Sequence, residues 1–221
     1  MTDQPRPPAP PGDAPRGRGL FVAFEGGDGA GKSTQARLLA EWLEARGRTV
    51  RLTREPGGTD LGGRIRELVL HGGHVAPRAE ALLFAADRAH HVASLIRPAL
   101  DRGEVVITDR YLDSSVAYQG AGRDLGPEEI RELSLWAVGG LVPDLTILVD
   151  VPAEVGRQRR EGVHDRLESL EGDFHERVRR HFLDLARRDP DRYLVLDGEL
   201  APEELQRCVR ARVGATPGVG A

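Results

Sequence analysis

The 31 basic residues of this chain comprise 30 arginines and one lysine, and that lysine, Lys32, falls inside a run of glycines, Gly26-Gly27-Asp28-Gly29-Ala30-Gly31-Lys32-Ser33. The run fits G-x-x-x-x-G-K-[ST]. Glycines let the main chain curl until its N–H groups converge on phosphate oxygens, and the positive end of a following helix adds to them. An ammonium on a flexible stem then reaches the β- and γ-phosphates, a task for which a planar guanidinium is poorly shaped. Gly26, Gly27, Asp28, Gly29, Ala30, Gly31, Lys32, Ser33 and Thr34 are therefore expected to hold the phosphates of ATP, with the Ser33 hydroxyl on Mg²⁺. The plainer alternative is a glycine-rich turn without a ligand. Against it stands the placement of the one lysine on the one position that requires it. Asp109 ends the apolar run Val105-Val106-Ile107-Thr108. A carboxylate at the C-terminal end of a parallel strand points into the ligand crevice, so Asp109 is expected to be a second Mg²⁺-organising group. Capping of the next turn is the alternative.

These residues need elements to position them. Leu20–Glu25 is a short, mostly apolar run before the glycines and predicts a buried strand. Lys32–Arg46 carries Ala36, Leu39, Trp42 and Leu43 at helical spacing. Further strands are expected at Thr49–Thr53, Glu104–Asp109, Asp144–Asp150 and Tyr193–Leu196. Helices are expected at Leu61–Leu70, Arg78–Leu100, Pro127–Val138, Glu171–Arg188 and Pro202–Val213. Between Asp109 and Pro127 lies a polar stretch, and Arg157–Arg166 is rich in arginine. Strands alternating with helices imply an α/β fold: a parallel sheet of the P-loop NTPase type, flanked by helices on both faces, with a small flexible lid at about residues 154–168. One domain is expected over residues 20–213, between disordered tails at 1–19, which is rich in proline, and 214–221.

Composition excludes several functions. A net charge of −4 argues against a nucleic-acid partner. No apolar run approaches the roughly 18 residues of a membrane span. A lone cysteine, Cys208, fits a reducing, cytoplasmic setting. A GTPase would read its base with Asn-Lys-x-Asp, which a chain with one lysine cannot supply, and no LSGGQ-type signature of a transport ATPase is present. A small phosphotransferase remains. Arg54, Arg66, Arg88 and Arg110, which follow strands or face away from apolar stripes, could grip an acceptor phosphate bidentately.

Three further segments complete the pattern: Thr53-Arg-Glu-Pro-Gly-Gly-Thr59, Leu82-Leu-Phe-Ala-Ala-Asp-Arg88, and Thr108-Asp-Arg-Tyr-Leu-Asp-Ser-Ser-Val-Ala-Tyr-Gln119. With the glycine run they resemble the thymidylate kinase family over Leu20 to about Val213. The resemblance implies phosphorylation of dTMP by ATP and Mg²⁺, and a homodimer. It implies that Phe84 lies on the thymine face, that Arg88 and Gln119 read the base edge, and that Ser115 makes a polar contact near it. Tyr118 would exclude a ribose 2′-hydroxyl. Arg66 and Arg110 would hold the acceptor phosphate, Asp28 would contact the acceptor sugar or its metal, and Glu55 would help order the site. Gly29 stands where another subtype of the family has an arginine, so a catalytic arginine is expected from the lid. Arg157, Arg159 and Arg160 precede Asp165-Arg-Leu-Glu168, which is similar to the family's DRIE ending. Counting back from Asp165, the expected position holds Glu161, so the choice among the three stays open. The alternatives are another pyrimidine monophosphate kinase, acting on CMP or UMP, and a nucleotide-binding regulator without catalysis.

Overall fold

The computed structural model describes residues 18–159, 165–168, 170 and 172–216. Five strands, β1 Phe21–Glu25, β2 Val50–Arg54, β3 Val105–Asp109, β4 Leu145–Asp150 and β5 Tyr193–Asp197, form one sheet in the order β2-β3-β1-β4-β5. Every neighbouring pair is parallel. β1 is buried along its whole length. A strand covered on both faces calls for apolar side chains along its length, and β1 supplies them up to its final residue, Glu25: Phe21 and Ala23 enter one core, Val22 and Phe24 the other.

Nine helices are described: α1 Lys32–Glu44, α2 Asp60–Arg66, α3 Pro77–His91, α4 Arg97–Asp101, α5 Leu112–Ser115, α6 Pro127–Ala137, α7 Ala153–Arg159, α8 Gly172–Arg188 and α9 Pro202–Gly214. Leu39 and Leu43 of α1 and Leu205 and Val209 of α9 cover one face of the sheet; Phe84 of α3, Leu112 of α5 and Phe182 of α8 cover the other. Pro77, Pro127 and Pro202 each open their helix at a position where no N–H is needed. The Thr59 hydroxyl caps α2 by accepting from Gly62 N at 3.0 Å.

The expected α/β architecture is present, with three local differences. The helix expected over Arg78–Leu100 is interrupted by a π-helical stretch at Val92–Ile96, just before Pro98, which has no N–H to donate to the carbonyl of Ser94. The helix expected over Leu61–Leu70 ends at Arg66 and continues as π-helical turns to His71. The polar stretch after Asp109 is helical and almost wholly buried, as α5 and then π-helical turns over Val116–Gly122. Its polar side chains are inside because other elements satisfy them: Arg192 and Tyr193 meet Asp113, Glu25 meets Ser114, Arg88 meets Ser115 and Glu80 meets Gln119.

Most of the expected tails, and residues 160–164 of the expected lid with Arg160 among them, lie outside the described residues. Arg18 pairs with Asp144 at 3.2 Å, and α9 runs one residue beyond Val213. No described helix is long and apolar enough to cross a membrane.

Candidate active site

The register of the sheet brings the C-terminal ends of β1, β3 and β4 to one edge, with Phe24 beside Asp109 and Glu25 beside Leu148. The glycine loop leaves β1 there and turns into α1. Lys32 is the first residue of α1, and its Nζ folds back to donate to Gly27 O at 2.6 Å. Burial and then Arg110 push the Lys32 ammonium down to about 8, against the pull of Asp109, Asp28 and Glu25. Ser33 Oγ donates to Asp109 Oδ2, while the buried Asp109 Oδ1 has no partner among the described residues. An unpartnered carboxylate oxygen beside a serine hydroxyl is a donor set that suits a hard cation such as Mg²⁺.

Arg110 follows Asp109 in the left-handed region, at φ 70°. This conformation is uncommon outside glycine, and several bonds impose it here. Arg110 N donates to Phe24 O at 2.9 Å. The guanidinium donates to Gly26 O at 3.1 Å, Ser114 Oγ at 3.0 Å and Tyr118 Oη at 3.2 Å, and it forms an ion pair with Asp28. Tyr118 Oη in turn donates to Asp28 at 2.7 Å. Burial opposes ionisation of Asp28, but Arg110 and Lys32 outweigh it and hold this carboxyl well below the usual range. Under the turn, Glu25 accepts from Tyr111 N at 2.9 Å, Ser114 N at 3.1 Å and Ser114 Oγ at 2.6 Å. Burial, reinforced by Asp113, pushes Glu25 up to about 7. Glu25 shapes the site although sequence reasoning gave it no role; its signal is a lone acid ending an apolar strand.

A cleft on the α3 side is lined by Phe84, Arg88, Ser115, Tyr118 and Gln119, together with Arg66 and Arg110. Arg88 differs from expectation. It does not face away from the apolar side of its helix but is 2% exposed. Its charge is tolerated there because Nε donates to Glu55 at 2.7 Å and its other nitrogens donate to Ser115 Oγ at 2.9 Å, Ser134 Oγ at 3.3 Å and Tyr111 O at 3.3 Å. Glu55 is held on its other oxygen by His91 Nδ1 at 2.9 Å. Asp165 and Glu168, at the end of the expected lid segment, also line this cleft.

A second cleft, lined by Gly29, Lys32, Ser33 and Asp109, opens over the glycine loop. The two clefts share Asp28, Glu55, Arg66, Arg110 and Glu168, so they form one continuous trough. Arg157 and Arg159 line neither. Arg157 is exposed and pairs with Glu154 of its own helix, and Arg159 donates to Gly198 O at 2.7 Å.

The geometry agrees with what the chain resembles among known proteins. The thymidylate kinase family model matches residues 24–209. A curated thymidylate kinase of Clavibacter michiganensis subsp. michiganensis is 59% identical over 207 residues, covering 92% of this chain and 98% of that protein. One from Deinococcus radiodurans is 49% identical over 199 residues, covering 89% and 97%. The crystal structure of thymidylate kinase from Ehrlichia chaffeensis superposes with a TM-score of 0.73 at 34% identity, over 88% of this chain and 98% of that one. Likeness of this extent reaches from β1 into α9 and takes in both halves of the trough, which means that the chain belongs to the thymidylate kinase family.

Proposed function

We propose that the chain transfers the γ-phosphoryl group of ATP to dTMP, giving dTDP, along the trough in which the two clefts meet. The observation that carries this reading is the shared wall: Asp28, Arg66 and Arg110 border both the glycine-loop cleft and the cleft lined by Phe84 and Gln119. A donor in one and an acceptor in the other would meet at these residues.

Phosphoryl transfer passes through a loose transition state, so the protein's work is positioning and charge neutralisation. The glycine loop, from Gly26 to Thr34, holds the ATP phosphates and Lys32 reaches the transferring group. Ser33 and Asp109 would hold Mg²⁺, which when bound would supply further neutralisation at the triphosphate. Phe84 stacks on thymine, Arg88, Ser115 and Gln119 meet its edge, and Tyr118 fills the space of a ribose 2′-hydroxyl. Arg66 and Arg110 aim the acceptor phosphate, with Asp28 holding Arg110 in place and Glu55 holding Arg88. One of Arg157, Arg159 and Arg160 closes over the reaction when the lid, residues 154–168, folds down on the 20–213 domain. The working form is a homodimer, supported by exposed apolar side chains on α3 and α6, and the place of work is the cytoplasm, supported by the single cysteine, exposed on α9.

An ADP-release assay with ATP, Mg²⁺ and a panel of dTMP, dCMP, CMP and UMP tests this. dTMP is the expected best acceptor, and Lys32→Ala lowers kcat by about 10³ or more, on the scale of removing a transition-state charge. In the same assay, the lid arginine whose alanine variant loses most kcat with little change in KM is the catalytic one. Absent turnover of dTMP, or a near-normal Lys32→Ala enzyme, sinks the reading.

A further inference from the structure

Glu80 has no part in the chemistry described so far. It lies in the first turn of α3, four residues before Phe84 and eight before Arg88, so all three side chains share the face that meets the α3-side cleft. It is fully buried, and three side chains converge on it. Gln119 Nε2 donates to Glu80 Oε1 at 2.9 Å, Arg123 donates to Oε2 at 3.2 Å, and Arg166 donates to the same Oε2. Arg123 Nε reaches Oε1 only at 3.4 Å. An ionised carboxylate accepts and never donates. Glu80 therefore dictates which end of the Gln119 amide faces it: the nitrogen. The amide oxygen is left for the cleft, and no described side chain donates to it.

We propose that Glu80 is a positioning residue that sets base preference, by making Gln119 present an acceptor rather than a donor to the pyrimidine edge. A base with an N3–H, thymine or uracil, matches that acceptor. Cytosine, whose N3 carries a lone pair, sets two acceptors against each other and leaves both unpaired. The inference rests on the proposed seat of the base beside Gln119.

Glu80→Gln keeps the shape and tests the orientation. Two arginines converge on the Oε2 position, so the new amide must keep its oxygen there, and its NH₂ then faces Gln119. Gln119 answers by turning its own oxygen inward and its NH₂ toward the cleft. The expected result is a fall of about tenfold or more in kcat/KM for dTMP with none for dCMP, as one mismatched hydrogen bond produces, while KM for ATP stays within about twofold. An unchanged dTMP:dCMP ratio, or equal falls for both, overturns the proposal and leaves Glu80 merely structural. If Glu80→Gln does not fold, the wild-type protein decides. By NMR on ¹⁵N-glutamine-labelled enzyme, the Gln119 side-chain amide protons should stay protected from exchange and shift little when dTMP binds. A large shift on binding, with exchange in the free protein, puts the nitrogen at the base and equally overturns it. A wild-type enzyme that fails to phosphorylate dTMP refutes the functional reading instead, so the two failures are distinguishable.

Discussion

Lys32 is a cation in surroundings that disfavour cations. Burial and the neighbouring Arg110 lower it to about 8, against the pull of Asp109, Asp28 and Glu25. Triphosphate oxygens would reverse this balance, which makes protonation of Lys32 a condition for ATP capture. The group is charged below pH 8 and neutral above it, so kcat/KM for ATP should be level below about 8 and fall about tenfold per pH unit above, because that parameter reports the free enzyme. A profile that stays flat through pH 9.5 would count against the assignment of Lys32. Its acidic neighbours each hold a part of the trough: Asp28 pairs with Arg110, Glu25 accepts from the backbone at Ser114, and Asp109 accepts from the Ser33 hydroxyl.

At the scale of elements, the glycine loop and α7 touch backbone to backbone. Gly29 sits at φ 77°, and a Cβ built on it would lie 2.2 Å from Gly156 O; a Cβ on Gly156 would lie 2.4 Å from Asp28 O. Neither position has room for a side chain. This contact leaves no space at position 29 for an arginine. It further ties α7 to the glycine loop. Gly156→Ala should therefore push the loop off its track, costing about 1–3 kcal/mol as overpacking does, or about 2–12 °C in Tm. kcat/KM for ATP should fall at least about tenfold, on the scale of an active-site displacement, while dTMP affinity by calorimetry is unchanged. Full activity with an unshifted Tm would show that the loop and α7 move independently.

Across the whole molecule, β3 and β4 leave β1 on opposite sides, and the crevice between their C-terminal ends is where parallel sheets bind ligands. The opposite concern is the outer surface. Trp136 of α6 is 82% exposed and Leu82 of α3 57%, and a shallow groove lined by Leu82, Ile130 and Leu133 lies between these helices. Large apolar side chains exposed on two neighbouring helices, with an apolar groove between those helices, suit a second copy of the chain. Sedimentation equilibrium at micromolar concentration should show a mass twice that of the chain, and Leu82→Glu or Trp136→Glu should weaken self-association by at least about tenfold. A wild-type protein that sediments as a monomer removes the homodimer.

Much of this was legible in the sequence, because it is written in local spacing. Curled glycines, one lysine and a strand-ending aspartate encode the phosphate loop within a few residues, and apolar runs alternating with helical stripes encode the parallel sheet. What stayed hidden were relations between distant segments. The stretch after Asp109 read only as polar, with no sign that it is core; Glu25, Glu80, Arg88 and Arg192 arrive from other elements to satisfy it. Arg88 read as outward-facing, yet Glu55 makes its burial tolerable from 33 residues away. A polar side chain is placed by its partner, and only the folded chain decides which partners come within hydrogen-bonding reach.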